Sequence, residues 1–140
     1  GRARYICTPR VSKHRVFVWL APAVLADSAT DAAIATQVAN RLVNQDKVAV
    51  VVGGVASFTR VAVRDVIADK GNTIYIWPAS YEGGECSTNV WNTGSAPNQQ
   101  VDPTVEHLLA EGNKTFFLAG SDYLYPRNIL ARYLKMHLLL

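Results

Sequence analysis

Short β-branched runs alternate with segments of helical periodicity along most of this chain, and this alternation constrains its fold more than any other feature. The runs are predicted to be strands, because continuous apolar stretches of this length suit strands that are covered on both faces. They are Arg15–Ala21 (RVFVWLA), Val48–Val52 (VAVVV), Thr73–Trp77 (TIYIW) and Thr115–Ala119 (TFFLA). Strands that alternate with helices of this length predict right-handed βαβ units and a parallel sheet.

Four helices are predicted between and after these strands. The first starts at Asp27-Ser28, whose side-chain oxygens can cap a helix, and runs to about Asn44. The second ends near Gly71, and its inner face is expected to carry Phe58, Ala62, Val66 and Ile67. The others are Pro103–Glu111 and Asn128–His137, and the segment Pro78–Pro97 is expected to be irregular. The pattern predicts an α/β fold, a Rossmann-like single lobe in which a mostly parallel sheet is the middle layer of a three-layer sandwich.

The composition agrees with one globular domain and argues against several classes of protein. Of the 140 residues, 49% are hydrophobic, so the chain can bury a core. No apolar run approaches the roughly 20 residues that a membrane span needs, so membrane insertion is not expected. The net charge of +3 comes from a basic head at residues 1–14, which we separate from a lobe at residues 15–140. No aromatic–basic stripe follows, and we expect no nucleic-acid partner.

Three glycine-containing loops after predicted strands form the candidate binding site, because open parallel sheets bind ligands at the carboxyl ends of their strands. The loops are Gly53–Thr59, Pro78–Pro97 and Gly120–Arg127. Ser57 lies near a helix N-terminus, where it either contacts a ligand or serves as an ordinary N-cap. Trp77 and the nearby tyrosines either wall a site for a small polar molecule or cover the sheet.

No motif in the sequence predicts catalysis, a cofactor or a metal site. The loop after the second predicted strand lacks both GxGxxG and the Gly-Lys-Ser/Thr of a phosphate loop. A hydrolase would need Cys86 beside His107 or His14, and nothing in the sequence places them together. Glu82 and Glu85 are close in sequence, but the two glycines between them are not expected to hold the carboxylates in a fixed geometry.

Two segments resemble a known family. WPASYEGGECSTNVWNTGSAPNQQ (Trp77–Gln100) and FFLAGSDYLYPR (Phe116–Arg127) resemble the periplasmic binding proteins for urea and short-chain amides, which are ABC-transporter receptors of the branched-chain amino-acid type. The shared pattern is an aromatic-Pro-x-x-Tyr-Glu-Gly loop, then Gly-x-x-Pro-Asn-Gln, then Gly-Ser/Thr-Asp-Tyr-x-Tyr-Pro. The likeness covers roughly Asp27–Arg127, which corresponds to part of the first of two lobes in that family.

The resemblance implies particular site residues. The expected ligand contacts are Ser57, Trp77, Ala79, Ser80 and Tyr125. The residues expected to shape the loops are Gly53, Gly54, Tyr81, Glu82, Gly83 and Tyr123. Trp77 stands where the family usually has a tyrosine, and both Trp77 and Ala79 replace expected polar groups.

The resemblance also implies a function, which is ligand binding without catalysis. We expect a weakly bound small polar ligand such as urea or a short-chain amide, an ABC permease as partner, and a periplasmic location. One alternative is an amide-sensing regulator in the cytoplasm, and another is a structural or assembly module that has lost the ligand. We also expect a sheet edge to be exposed, which would allow a homodimer.

Overall fold

A computed structural model describes residues 23–139 and contains a parallel sheet with helices packed against it. Its elements are α1 (Ala32–Asn44), β1 (Val50–Val52), α2 (Ser57–Arg64), β2 (Ile74–Trp77), β3 (Val90–Asn92), α3 (Pro97–Ala110) and α4 (Leu124–Leu139). A π-helical segment, Asp65–Lys70, continues α2. The predicted strand Arg15–Ala21 and the basic head lie outside the described residues.

The sheet has the order β1-β2-β3, and both strand pairs are parallel. Tyr75 is in register with Val51 on one side and with Val90 on the other, so these three side chains share a face. That face packs against α1, α2 and the π-helical segment to form the hydrophobic core. The predicted α/β class with a parallel sheet is therefore confirmed. On the opposite face Val52 and Trp91 are each 62% exposed.

The first helix begins four residues later than predicted. Its N-cap is Asp31, whose Oδ1 accepts hydrogen bonds from the backbone N–H groups of Ala33 and Ile34 at 2.9 and 2.8 Å. The Asp27 carboxylate instead accepts from the backbone of Ala29, which has a positive φ of 50°. A residue in the left-handed region cannot continue a right-handed helix, so the Asp27-Ser28 cap was wrong.

The buried face of α2 also differs from the prediction. Of the four residues expected on the inner face, Ile67 is buried, whereas Phe58, Ala62 and Val66 are only half-buried. The buried positions of α2 itself are Ser57, Thr59, Arg60 and Val63. Arg60 is among these buried positions, and a hydrophobic pattern does not reveal the burial of a charged residue.

The third strand comes from an unexpected segment. The predicted strand Thr115–Ala119 has no strand structure, and Phe117 is 94% exposed. The place beside β2 is filled by β3, within the segment that was expected to be irregular. The last two helices are longer than predicted. The third begins at Pro97, since proline is favoured at the first position of a helix, and the fourth begins at Leu124.

Candidate functional site

The parallel sheet brings the loops that follow its strands to one edge, as predicted for its carboxyl ends. The loop after β1 leads into α2, the loop after β2 contains Ala79 and Ser80, and the loop after β3 leads into α3. Gly120–Arg127 follows no strand, but its Tyr125 still reaches the first turn of α3. Residues of all three candidate loops therefore lie at or near this edge of the sheet.

A network of hydroxyl and amide groups connects Ser80 with Tyr125. The Tyr125 hydroxyl donates to Oε1 of Gln100 at 3.3 Å, and Nε2 of the same amide donates to Ser80 Oγ at 3.3 Å. Gln100 Nε2 also donates to Ser95 Oγ, which lies 3.1 Å from Ser80 Oγ. Two side chains that the sequence places 45 residues apart are therefore joined by one amide.

An open cavity of about 590 Å³ lies beside this network, and its wall is mostly polar. Tyr81, Asn92, Ser95 and Gln99 are among the residues that line it. The Oδ1 atom of Asn92 is buried and has no hydrogen-bond partner among the described residues. A cavity with polar walls suits a small polar ligand.

Ser57 is the first residue of α2 and is only 1% exposed. The N-cap of α2 is Ala56, so the alternative that Ser57 acts as an ordinary N-cap is not what the structure shows. Its Oγ has no hydrogen-bond partner within residues 23–139. A buried hydroxyl without a partner costs free energy, and a ligand or a bound water would remove that cost. The ligand contact of Ser57 stays a prediction.

Trp77 is completely buried and contributes to the core. Its ring meets Tyr75 edge to face, with the ring centroids 6.2 Å apart. Gly54 lies so close that a Cβ there would be 2.2 Å from Trp77 Cζ3, and its φ of +95° also favours glycine. Burial raises the pKa of the neighbouring Tyr75 hydroxyl above its usual range. Stacking of Trp77 on a ligand stays a prediction, and it would require the ring to become accessible.

The tyrosines that were expected to shape the loops hold loops against helices. The Tyr81 ring lies 5.9 Å from the Cζ of Arg60, and its backbone N–H donates to Ser95 O at 3.3 Å. Tyr123 meets Phe58 of α2 edge to face at 6.1 Å. These contacts link the loop after β2 and the loop before α4 to the same helix.

Three buried charged side chains join the loop that follows β2 to α2. Arg60 Nη2 is 2.6 Å from Glu82 Oε1, and Nη1 of the same guanidinium pairs with Glu85 Oε2. The three side chains are between 3% and 8% exposed. The expectation that Glu82 and Glu85 lack a fixed geometry was therefore wrong, because one guanidinium binds both carboxylates.

Sequence reasoning missed three residues of this region, namely Arg60, Ser95 and Gln100, and it considered Glu85 but expected no fixed geometry there. The pair of glutamates was a usable signal, since two carboxylates in a glycine-containing loop need a cation if they are buried. Nothing local identified Arg60 as that cation. Ser95 and Gln100 looked like ordinary polar loop and helix residues.

The residues considered for a hydrolase make other contacts. Cys86 is exposed, and its Sγ lies 3.8 Å from Gly84 O. His107 Nε2 lies 3.5 Å from Glu111 Oε1 on the surface of α3. Within residues 23–139 no group of three or more histidine, cysteine, aspartate or glutamate side chains could hold a metal ion. Over the same residues no helix is both long enough and apolar enough to cross a membrane.

Comparison with protein families identifies the chain at the level of its domain. The family model described as the periplasmic binding protein domain matches residues 20–138. That match takes in every described helix and strand except the last residue of α4. The α/β architecture, with its parallel sheet, is consistent with one lobe of such a protein. The chain belongs to the periplasmic binding protein domain family.

Proposed function

We propose that this chain binds a small polar ligand of the urea and short-chain amide class and performs no catalysis. Proteins of this family generally bind ligands rather than transform them, which supports the coarser part of the proposal. The ligand class rests on the motifs in Trp77–Gln100 and Phe116–Arg127 and on the polar groups that surround the cavity. An amide has both a carbonyl acceptor and N–H donors, so it can form hydrogen bonds with hydroxyl and carboxamide side chains at the same time.

The network that joins Tyr125, Gln100 and Ser80 is the observation that carries the proposal. Of the three hydrogen bonds of the Gln100 side chain, those to Tyr125 and Ser80 are each 3.3 Å long, which is slightly longer than usual. A ligand amide could therefore take the place of the Gln100 amide as the partner of these two hydroxyls. We propose that Ser57 and Ala79 complete the ligand contacts and that Trp77 supports them from the core.

The proposed binding is weak. A urea-sized ligand has about four heavy atoms, and even ideal contacts yield no more than about −1.5 kcal/mol per atom. If one lobe supplies half of those contacts, the total is about −3 kcal/mol, which corresponds to a Kd of several millimolar.

Titration of the purified chain with urea, acetamide and formamide, followed by NMR chemical shifts, tests this proposal. We expect saturable shifts at millimolar ligand for amides of the loops after β2 and β3. N,N-dimethylacetamide is the matched control, because it keeps the carbonyl and lacks N–H donors. Shifts that increase linearly for all four compounds would contradict the proposal.

A structural or assembly role is the second candidate, and the complete burial of Trp77 favours it. A tryptophan that fills the space behind Gly54 contributes to the core whether or not a ligand binds. The amide titration discriminates between the candidates, because a lobe with a purely structural role would show no saturable shifts. Linear shifts with urea, acetamide and formamide in a folded chain would favour the structural role.

Transport is the proposed context of the binding. The family description supports a location outside the cytoplasm and an ABC permease as the partner that receives the ligand. A cytoplasmic amide sensor of the same ancestry is the alternative. Co-purification with a permease of branched-chain amino-acid type would support transport, whereas a complex with a regulatory protein would support sensing.

A homodimer through the sheet edge is also proposed. Within the described residues β1 pairs on one side only, with β2, and Val50 and Val52 on this strand are 42% and 62% exposed. An open strand edge with apolar side chains is a template for pairing with a second chain.

A further inference from the structure

We infer that Arg60 is a positioning residue, which holds the loop after β2 against α2 and thereby sets where Ser80 lies relative to Ser57. The inference rests on the proposed function for its consequence, since these two serines are proposed ligand contacts. The anchoring itself rests only on the contacts of the described residues.

The ion cluster is buried enough to have a geometric effect. The guanidinium of Arg60 uses two of its three nitrogens, with one carboxylate on each, and none of the three side chains is more than 8% exposed. Charges in such surroundings are weakly screened, so moving either carboxylate away from the guanidinium is costly. The loop therefore has one favourable position relative to the helix.

The backbone between the two glutamates lets both reach the same cation. Gly83 and Gly84 have φ values of +84° and +71°, in the left-handed region that glycine enters without strain. The chain bends at Gly83, and both carboxylates contact Arg60. The two glycines are therefore compatible with a fixed geometry of the glutamates.

Contacts outside the ion cluster attach the same loop to the same helix. Ser87 Oγ donates to Asp69 Oδ1 at 2.7 Å, and Arg64 Nη1 lies 3.9 Å from Glu85 Oε1. That carboxylate oxygen also accepts from the backbone N–H groups of Cys86 and Ser87, each at 3.1 Å. Glu85 thus orders its own loop and binds the helix at the same time.

The position of the cluster connects it to the proposed ligand contacts. Arg60 is one helical turn after Ser57, so both lie on the buried face of α2. Glu82 is two residues after Ser80. The guanidinium also lies 5.9 Å from the ring centroids of Trp77 and Tyr81, within the range of a cation–π contact. Arg60 therefore lies on the helix that carries Ser57. It also contacts residues that precede and follow Ser80 in the chain, namely Trp77, Tyr81 and Glu82.

A purely stabilising role explains these features less well. Buried ion clusters frequently add little stability compared with apolar side chains of similar volume, and their clearest contribution is to select one arrangement. Here the cluster joins a long loop to a helix at the edge where the ligand is proposed to bind. Positioning is the role that this placement supports.

Amide hydrogen exchange by NMR, on the full chain, tests the inference. The variants are Arg60→Met and the triple variant Arg60→Met/Glu82→Gln/Glu85→Gln, which leaves no unpaired buried carboxylate and protects against a failure to fold. Arg41→Met is the matched control, since Arg41 pairs with Asp46 at the surface. The reporters are the amide of Tyr81 in the loop, which donates to Ser95 O and keeps this acceptor in both variants, and that of Thr93, which donates to Trp77 O in the sheet.

We expect the triple variant to exchange Tyr81 at least tenfold faster than the wild type, with Thr93 unchanged and with Arg41→Met like the wild type. An unchanged Tyr81 amide, or equal acceleration of both reporters, would overturn the inference. Acetamide titration provides the second measurement. Faster loop exchange with undiminished acetamide affinity would overturn the link to the site, whereas a wild type that binds no acetamide would overturn the proposed function and leave the anchoring supported.

Discussion

The Nη2 atom of Arg60 lies 2.6 Å from Oε1 of Glu82, and both side chains are more than nine-tenths buried. The arginine belongs to a helix and the glutamate to a loop that is 22 residues away along the chain. A contact of this kind makes the loop part of the folded core. It also predicts that the two elements respond together when the ion pair is removed.

Loss of the Arg60 guanidinium is expected to be strongly destabilising. Arg60→Met leaves two buried carboxylates without their cation, and breaking a buried pair in this way costs about 3–5 kcal/mol of the free energy of unfolding. The exposed pair in Arg41→Met should cost about 1 kcal/mol or less. Unfolding in guanidinium chloride, followed by circular dichroism, measures both. Equal losses in the two variants would contradict the prediction.

Replacement of Gly54 by alanine is expected to disturb the core around Trp77. The new Cβ would lie 2.2 Å from the Trp77 ring at a φ of +95°, so both overpacking and backbone strain contribute. Together these are worth about 2–4 kcal/mol of the free energy of unfolding. Gly112→Ala is the control, because φ there is +88° and nothing lies within 4 Å. It should show the strain alone, and a control that loses as much as Gly54→Ala would remove the packing explanation.

The hydroxyl of Tyr125 is expected to contribute to ligand binding. Tyr125→Phe removes the donor to Gln100 and should weaken acetamide binding about fivefold, which is the effect of one hydrogen bond of about 1 kcal/mol. Tyr133→Phe, on the same helix, should leave the affinity unchanged. The NMR titration described above measures both variants. If Tyr125→Phe binds as the wild type does, the network is not part of the site.

The contact between α3 and α4 is expected to depend on pH. The hydrogen bond from Arg132 holds the pKa of Asp102 below its usual range. A carboxyl whose pKa is lower in the folded chain contributes stability above its unfolded pKa, near 3.9, and loses it as the pH falls through the folded value. Thermal melts should separate the wild type from Asp102→Asn at pH 7. The two curves should converge as the pH falls through the lowered pKa of Asp102, and a difference that stays constant with pH would contradict the prediction. Glu106→Gln on the same helix is the control.

The edge of the sheet is expected to mediate self-association. Val52→Lys places a charge beside the edge of β1 that is unpaired within residues 23–139, and lysine at such an edge discourages strand pairing. Light scattering should show a larger species for the wild type at high concentration and a monomer for Val52→Lys. Val61→Lys is the matched control, because Val61 is an exposed apolar residue on a helix. A wild type that stays monomeric would refute the dimer.

Local sequence patterns predicted two strands of the described sheet, β1 and β2. The runs at Val48–Val52 and Thr73–Trp77 became β1 and β2, because β-branched and aromatic residues fit a pleated sheet that packs on helices. Thr115–Ala119 is also a short apolar run, yet it is not a strand. A strand needs a partner to pair with, and no local pattern announced that β3 takes the place beside β2.

Some features of the candidate site also follow from the sequence, and others only from the tertiary structure. The sequence by itself predicted the α/β class and the glycine-containing loops, because hydrophobic periodicity and turn chemistry are local, whereas Ser80 and Tyr125 entered only through the resemblance to urea- and amide-binding proteins. Only the tertiary structure decided that Gln100 joins those hydroxyls, that Trp77 is buried and that Arg60 binds two glutamates at once. Each of these depends on residues that are distant in the chain becoming neighbours, and burial then makes the choice of partner energetically decisive.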